Sequence, residues 1–162
     1  VTTRVYLPSS LRHLRDAVVS GGLGPAPLIG HAVTERLRAT YGDAGDEECE
    51  YAALTAAAQD SLALLGENTI ARRVVVVADV AAAVPVAGAE DSLVEVDEVV
   101  PLRLVASVHV DSDDAGNDVA AAAAAWPRAT EGDPAALEAV DRCLDHELGW
   151  YATQEIAALL EQ

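Results

Sequence analysis

The chain has 162 residues, of which 27 are acidic and ten basic, giving a formal charge of −17 with histidine neutral. A field of that sign repels phosphate backbones and anionic headgroups, which argues against general nucleic-acid or membrane-surface binding. Every basic residue is arginine and only Arg72–Arg73 are adjacent, so the sequence offers no basic groove.

A chain of this length can bury roughly two-thirds of its unfolded surface, enough for one domain without a disulfide or metal staple. Phenylalanine and methionine are absent, and Trp126, Trp150 and four tyrosines supply the only bulk. The core must therefore interdigitate small aliphatic side chains. Cys49 and Cys143 match no metal or redox spacing; they read as small buried helix residues in a reducing compartment, with a bridge between them as the open alternative. No secretory leader pattern opens the sequence, and the apolar run 74–89 is interrupted by Asp79 and Pro85 and is too short for a bilayer. The expectation is a soluble, cytoplasmic protein.

In chain order, Arg4–Leu7 reads as a strand, and the Ser9–Ser10 pair as the cap of a helix that runs to about Ser20. The stretch 21–27, GGLGPAP, follows a helix instead of joining a strand to one, so it reads as a C-cap and turn, not a dinucleotide fingerprint. Leu28–Val33 is a short strand, and Thr34 caps the next helix. Residues 43–66 form the clearest helix, with Tyr51, Leu54, Ala58, Leu62 and Leu65 as its expected buried stripe. Its early acidic residues complement the helix dipole.

The β-branched run in 72–80 suits a strand covered on both faces, and 92–100 alternates like a half-exposed strand. In 102–111, alternation puts Leu104, Ala106, Val108 and Val110 on one face, and Arg103, Val105, Ser107, His109 and Asp111 on the other. An alanine helix follows and is expected to stop at Pro127. Another starts at Asp133–Pro134 and carries Leu137, Val140, Leu144 and Leu148 as its apolar side until Gly149 breaks it. A short extended piece and a terminal helix complete the chain. The pattern predicts a single α/β (or α+β) domain, residues 1–162, in which helices pack on a mixed sheet of about five strands.

Three clusters carry candidate chemistry. His109 and Asp111 share a strand face near a strand end, where open sheets tend to bind ligands; they are the first choice for a metal, if any. The run 111–118 resembles a calcium loop, but Ala115 and Ala122 stand where ligands belong, so a dipole-complementing helix start explains it better. Asp145, His146 and Glu147 precede Trp150 and Tyr151, which are expected to close the core, and Arg142 lies one turn earlier if the helix continues. If these clusters and Glu47/Glu50–Tyr51 converge, they make a His/carboxylate pocket suited to a divalent metal. The sequence has no G-x-S-x-G, H-E-x-x-H or P-loop motif, so no recognised catalytic motif is present.

The segments RVYLPSSL, GPAPLIGHAVT, EEC-EYAALTAAAQDSLALL and DHELGWYATQEI resemble a family of small, uncharacterised actinobacterial proteins. The resemblance spans nearly the whole chain and implies no activity, ligand or cofactor. The leading expectation is a cofactor-free, non-catalytic binding protein with an acidic surface, whose partner is itself or another protein. The alternatives are a small metal-assisted hydrolase using His109 and Asp111 with His146 or Glu147, and a small-molecule sensor.

Overall fold

The computed structural model describes residues 1–42, 45–66 and 69–162. Asp43 and Ala44, which open the third predicted helix, lie outside that range. Strand β1 (Thr3–Ser9) leads into helix α1 (Leu11–Ser20), whose first turn is capped by the Ser10 hydroxyl accepting from the His13 amide. Gly21 ends this helix at φ 92°, a conformation glycine adopts without steric cost. Next come β2 (Gly22–Leu23), β3 (Leu28–Ala32), α2 (Glu35–Tyr41) capped by Thr34, and α3 (Asp46–Ser61). The chain then supplies β4 (Val74–Val80), β5 (Val84–Pro85), β6 (Leu93–Val96), β7 (Val100–Pro101) and β8 (Val105–Val110). Helices α4 (Gly116–Thr130) and α5 (Pro134–Asp141), strand β9 (Gly149–Ala152) and helix α6 (Ile156–Leu160) follow.

Seven strands form one sheet in the order β5-β6-β3-β1-β4-β8-β9, and every neighbouring pair is antiparallel. Strands β2 and β7 make a separate two-stranded ladder. The sheet is thus larger than the five strands expected and is not mixed in direction. Its extra members, β5 and β9, are short edge strands, and hydrophobic alternation does not encode the direction in which a strand enters its sheet.

The valine run in β4 is covered on both faces, as its composition demands. Val74, Val76, Ala78 and Val80 pack with Leu11, Leu14, Ile156 and Leu159 on one side. On the other, Val75 and Val77 meet Ala53, Ala57 and Ala58 of α3. Each fully buried valine contributes about 1.5–3 kcal/mol relative to exposure.

The buried side of α3 is Cys49, Ala53, Ala57, Ala58 and Ser61, and Tyr51 is 54% exposed. Of the stripe expected through Tyr51, Leu54, Ala58, Leu62 and Leu65, Ala58 and Leu62 are buried, Leu54 and Leu65 are half-buried and Tyr51 is exposed: α3 approaches the sheet through its small residues, and Leu62 packs in a separate cluster with α4. The apolar side expected for α5 is likewise met only in part, at Val140 and the half-buried Leu148. Ala136, Val140 and Cys143 face inward there, while Leu137 and Leu144 are exposed. They pack against α4, which passes through Pro127 for one more turn instead of stopping at it. In β8 a register shift opposite Val77/Ala78 turns Val105 onto the face of Val108 and Val110, contrary to strict alternation. Cys49 and Cys143 are free and lie in different clusters. Among the described residues, no helix is long and apolar enough to cross a membrane.

Candidate functional site

At one end of the sheet, on the α3 face, a row of paired residues runs from the centre to the edge: Val75 on β4, His109 on β8 and Trp150 on β9. Val75 is sealed under α3, His109 is half-buried, and Trp150 is 62% exposed. The row emerges from beneath the helix and leaves a cleft of about 330 Å³. Tyr51, Leu54, Thr55 and Ala58 of α3 line one side. The segment from α5 to β9 lines the other with Cys143, Leu144, His146, Glu147 and Leu148, and Arg73 lies at its base.

His109 makes no hydrogen bond to protein through its ring among the described residues, and burial pushes its pKa below the ordinary value. Its imidazole is therefore neutral near pH 7 and presents one donor and one acceptor nitrogen to whatever enters. His146 is held differently. The helix gives way to a 3-10 turn at Arg142–Asp145, and His146 leaves it in extended conformation, so Arg142 and His146 do not share a helix face. Its Nε2 lies 2.8 Å from Asp118 Oδ2, and because a carboxylate only accepts, Nε2–H is the donor. The orienting partner of His146 is thus Asp118 from α4, not its sequence neighbours Asp145 and Glu147.

Asp111 sits behind the cleft, 1% exposed, in a closed ion pair. Arg73 donates from Nε to Oδ2 and from Nη2 to Oδ1, both at 2.8 Å, and its backbone amide donates to Oδ2 at 2.8 Å. The same Nη2 also reaches the His146 carbonyl at 3.0 Å. Both Asp111 oxygens are consumed, and the charge of Arg73 is neutralised on the spot. The pair locks β8, β4 and the His146 turn together, which fixes the shape of the cleft. Among the described residues, no group of three or more His, Cys, Asp or Glu side chains is arranged to hold a metal ion.

The other residues nominated from sequence disperse. Glu50 lines a separate cavity with Arg4, Tyr6 and Arg38. Glu47 lies in the exposed first turn of α3, and Asp145 is exposed outside the cleft lining. Tyr151 points to the opposite face of β9 and packs against the main core; Trp150, expected to help close that core, stays outside it. The structure therefore gathers His109, His146, Glu147 and Tyr51 and leaves Asp111 as the anchor behind them.

Two further constellations were not legible in sequence. Cys143, His146 and Asp118 have the residue types of a thiol triad, but the Cys143 thiol is buried and donates to the Asp118 carbonyl at 3.6 Å. Burial pushes its pKa up, the reverse of an activated nucleophile. Ser92, His31 and Asp60 form a connected Ser–His–Asp chain, with Nδ1 2.7 Å from the Ser92 hydroxyl and Nε2 2.6 Å from Asp60. His31 is fully buried and Ser92 is 5% exposed, so no substrate reaches the hydroxyl in this conformation. The partners are 61 and 29 positions away in sequence, which hides the chain from any local motif.

No curated protein and no solved structure matches this chain. Residues 3–160 match the model of DUF6912, a family of unknown function, and the chain belongs to that family.

Proposed function

We propose that this protein is a non-catalytic binding protein whose cleft beside β9 receives a planar cationic group, either a small molecule or a guanidinium presented by a partner. The observation that carries this reading is the partner-free, neutral imidazole of His109 in a cleft that also holds the aromatic faces of Trp150 and Tyr51. Aromatic faces attract cations, and the Glu147 carboxylate adds a charge of the complementary sign. The arginine in the lining does not oppose this, because Asp111 already balances it. The overall charge of −17 raises the local concentration of cations. Exposed Leu144 and Trp150 extend the cleft into an apolar rim, a surface feature that favours partner contact.

The hydrolase reading has less support, because Asp111 has no free oxygen and the buried Cys143 thiol is held protonated. A sensor role would use the same cleft. The arginine-only basic set and the abundance of alanine and valine suit a high-GC, actinobacterial source, and the charge and unpaired cysteines suit a cytoplasmic location.

The test uses Trp126→Phe protein, in which Trp150 is the only tryptophan and is excited at the red edge, where tyrosine does not absorb. Benzamidinium should change its fluorescence saturably, and isosteric benzoate should not. A linear, non-saturating response to benzamidinium, or an equal response to benzoate, contradicts the proposal.

A further inference from the structure

On the opposite side of the sheet from His109, another cavity, of about 460 Å³, opens between the C-terminal half of α1, the end of β1 and the β2–β7 ladder. Its size falls in the range of small-molecule sites. The wall is aliphatic: Leu7, Leu23 and Leu28 form the interior, and Ile29 and Val99 stand at the rim, 47% and 51% exposed. Two glycines make this wall possible. A Cβ on Gly22 would lie 2.9 Å from the Val100 carbonyl oxygen, and one on Gly24 would lie 3.0 Å from a Val99 methyl. Any side chain at Gly22 would push β7 away and open the cavity's side.

The polar side chains are few: Ser9, Ser20, His13 and Asp16. Ser9 lines the cavity, is 3% exposed, and makes a single long hydrogen bond, 3.4 Å to the Ser10 carbonyl. Its hydroxyl oxygen accepts nothing from protein among the described residues, so it keeps acceptor capacity in the cavity lining. The His13 ring is pinned through Nδ1 to the Ser10 hydroxyl at 2.6 Å, which leaves Nε2 available, and Asp16 adds a carboxylate. No arginine lines the space. An anionic head would meet the Asp16 carboxylate with no arginine beside it, whereas an amine or hydroxyl head would donate to Ser9 and Asp16.

We propose that this cavity is a second binding site, for a small aliphatic molecule with an amine or hydroxyl head. It stands independently of the His109 cleft. The probes are three isosteres: cyclohexylmethylamine, cyclohexylmethanol and cyclohexanecarboxylate. Methyl NMR of the full chain should show saturable shifts at Leu23, Leu28 and Val99 with the amine and the alcohol. The carboxylate should bind at least about tenfold more weakly, because its charge must be desolvated beside that of Asp16. Ile29→Trp, placed at the exposed rim where the fold tolerates it, should narrow the mouth and weaken both binders by a similar factor; retained amide dispersion checks the fold. Ser9→Ala should weaken the amine and the alcohol in the unobstructed cavity. The proposal is overturned if neither the amine nor the alcohol shifts these methyls saturably, if the carboxylate binds as well as they do, or if Ile29→Trp leaves their binding unchanged.

Discussion

His31 and His109 both lie on sheet strands, and the fold treats them in opposite ways. His31 has no exposure and spends both ring nitrogens, on Ser92 and Asp60. His109 is half-buried, spends neither on protein, and faces an aromatic cleft. The complete Ser–His–Asp chain is the one that resembles an active site on paper, yet it ties β3, α3 and the turn before β6 together from the inside. The incomplete one holds unspent hydrogen-bonding capacity where a ligand can reach it. Satisfied polar networks specify structure, and unsatisfied groups at a surface cavity mark where binding can occur.

The Arg73–Asp111 pair belongs with the closed class, and breaking it should produce the largest effect. Asp111→Ala leaves a guanidinium that is 5% exposed without its counter-ion. The expected loss is about 3–5 kcal/mol in chemical denaturation. A loss below about 1 kcal/mol would place Asp111 among surface residues in energetic terms and reopen it as a ligand.

His31→Ala should come next, at about 2–4 kcal/mol, from the cavity left behind and from the stranded Ser92 hydroxyl. His109→Gln at neutral pH should cost less than about 1 kcal/mol, since no hydrogen bond is lost. A reversal of these two magnitudes would invert the contrast between closed and open centres.

The natural chain and His109→Gln also differ with pH. In the folded chain the pKa of His109 lies below its ordinary value, whereas the unfolded chain titrates near ~6.5. Above that pH the ring is neutral in both states and contributes no slope. As the pH falls from ~6.5 toward the lowered folded value, the unfolded state takes the proton first and stability declines. Denaturation midpoints measured across this window should fall more steeply for the natural chain than for His109→Gln. Equal slopes would remove the burial argument for His109.

Trp150→Ala should have the smallest effect on folding, within about 0.5 kcal/mol, because the indole lies largely in solvent at an edge strand. It should nevertheless abolish the response of the amide resonances around His109 to benzamidinium. A destabilised protein with intact binding would show that the indole serves the fold.

Much of the fold was legible because its signals are local. The Ser10, Thr34 and Asp133 caps, the Gly21 stop and the valine run of β4 stand where the sequence placed them. The errors arose where packing chose among equivalent patterns. In α3 the expected stripe was right at Ala58 and Leu62, but at the sheet the closer approach allowed by Ala53 and Ala57 displaced Tyr51 from it. Alternation failed in β8 because a bulge carries no signature in residue type. At the site, the clustering of His146 and Glu147 was visible, and so was the shared face of His109 and Asp111. That Arg73 would consume Asp111, and that Asp118 would orient His146, depends on contacts 38 and 28 residues apart. No pattern within a single element reports such distances.

The central claim is that the open centre binds and the closed one does not. The most direct measurement is the ring nitrogen NMR spectrum of the histidines, recorded with and without saturating benzamidinium. The account predicts that the His109 signals move most, those of His146 less, and those of His31 not at all. Equal movement at His31 and His109, or no movement at His109, would contradict it.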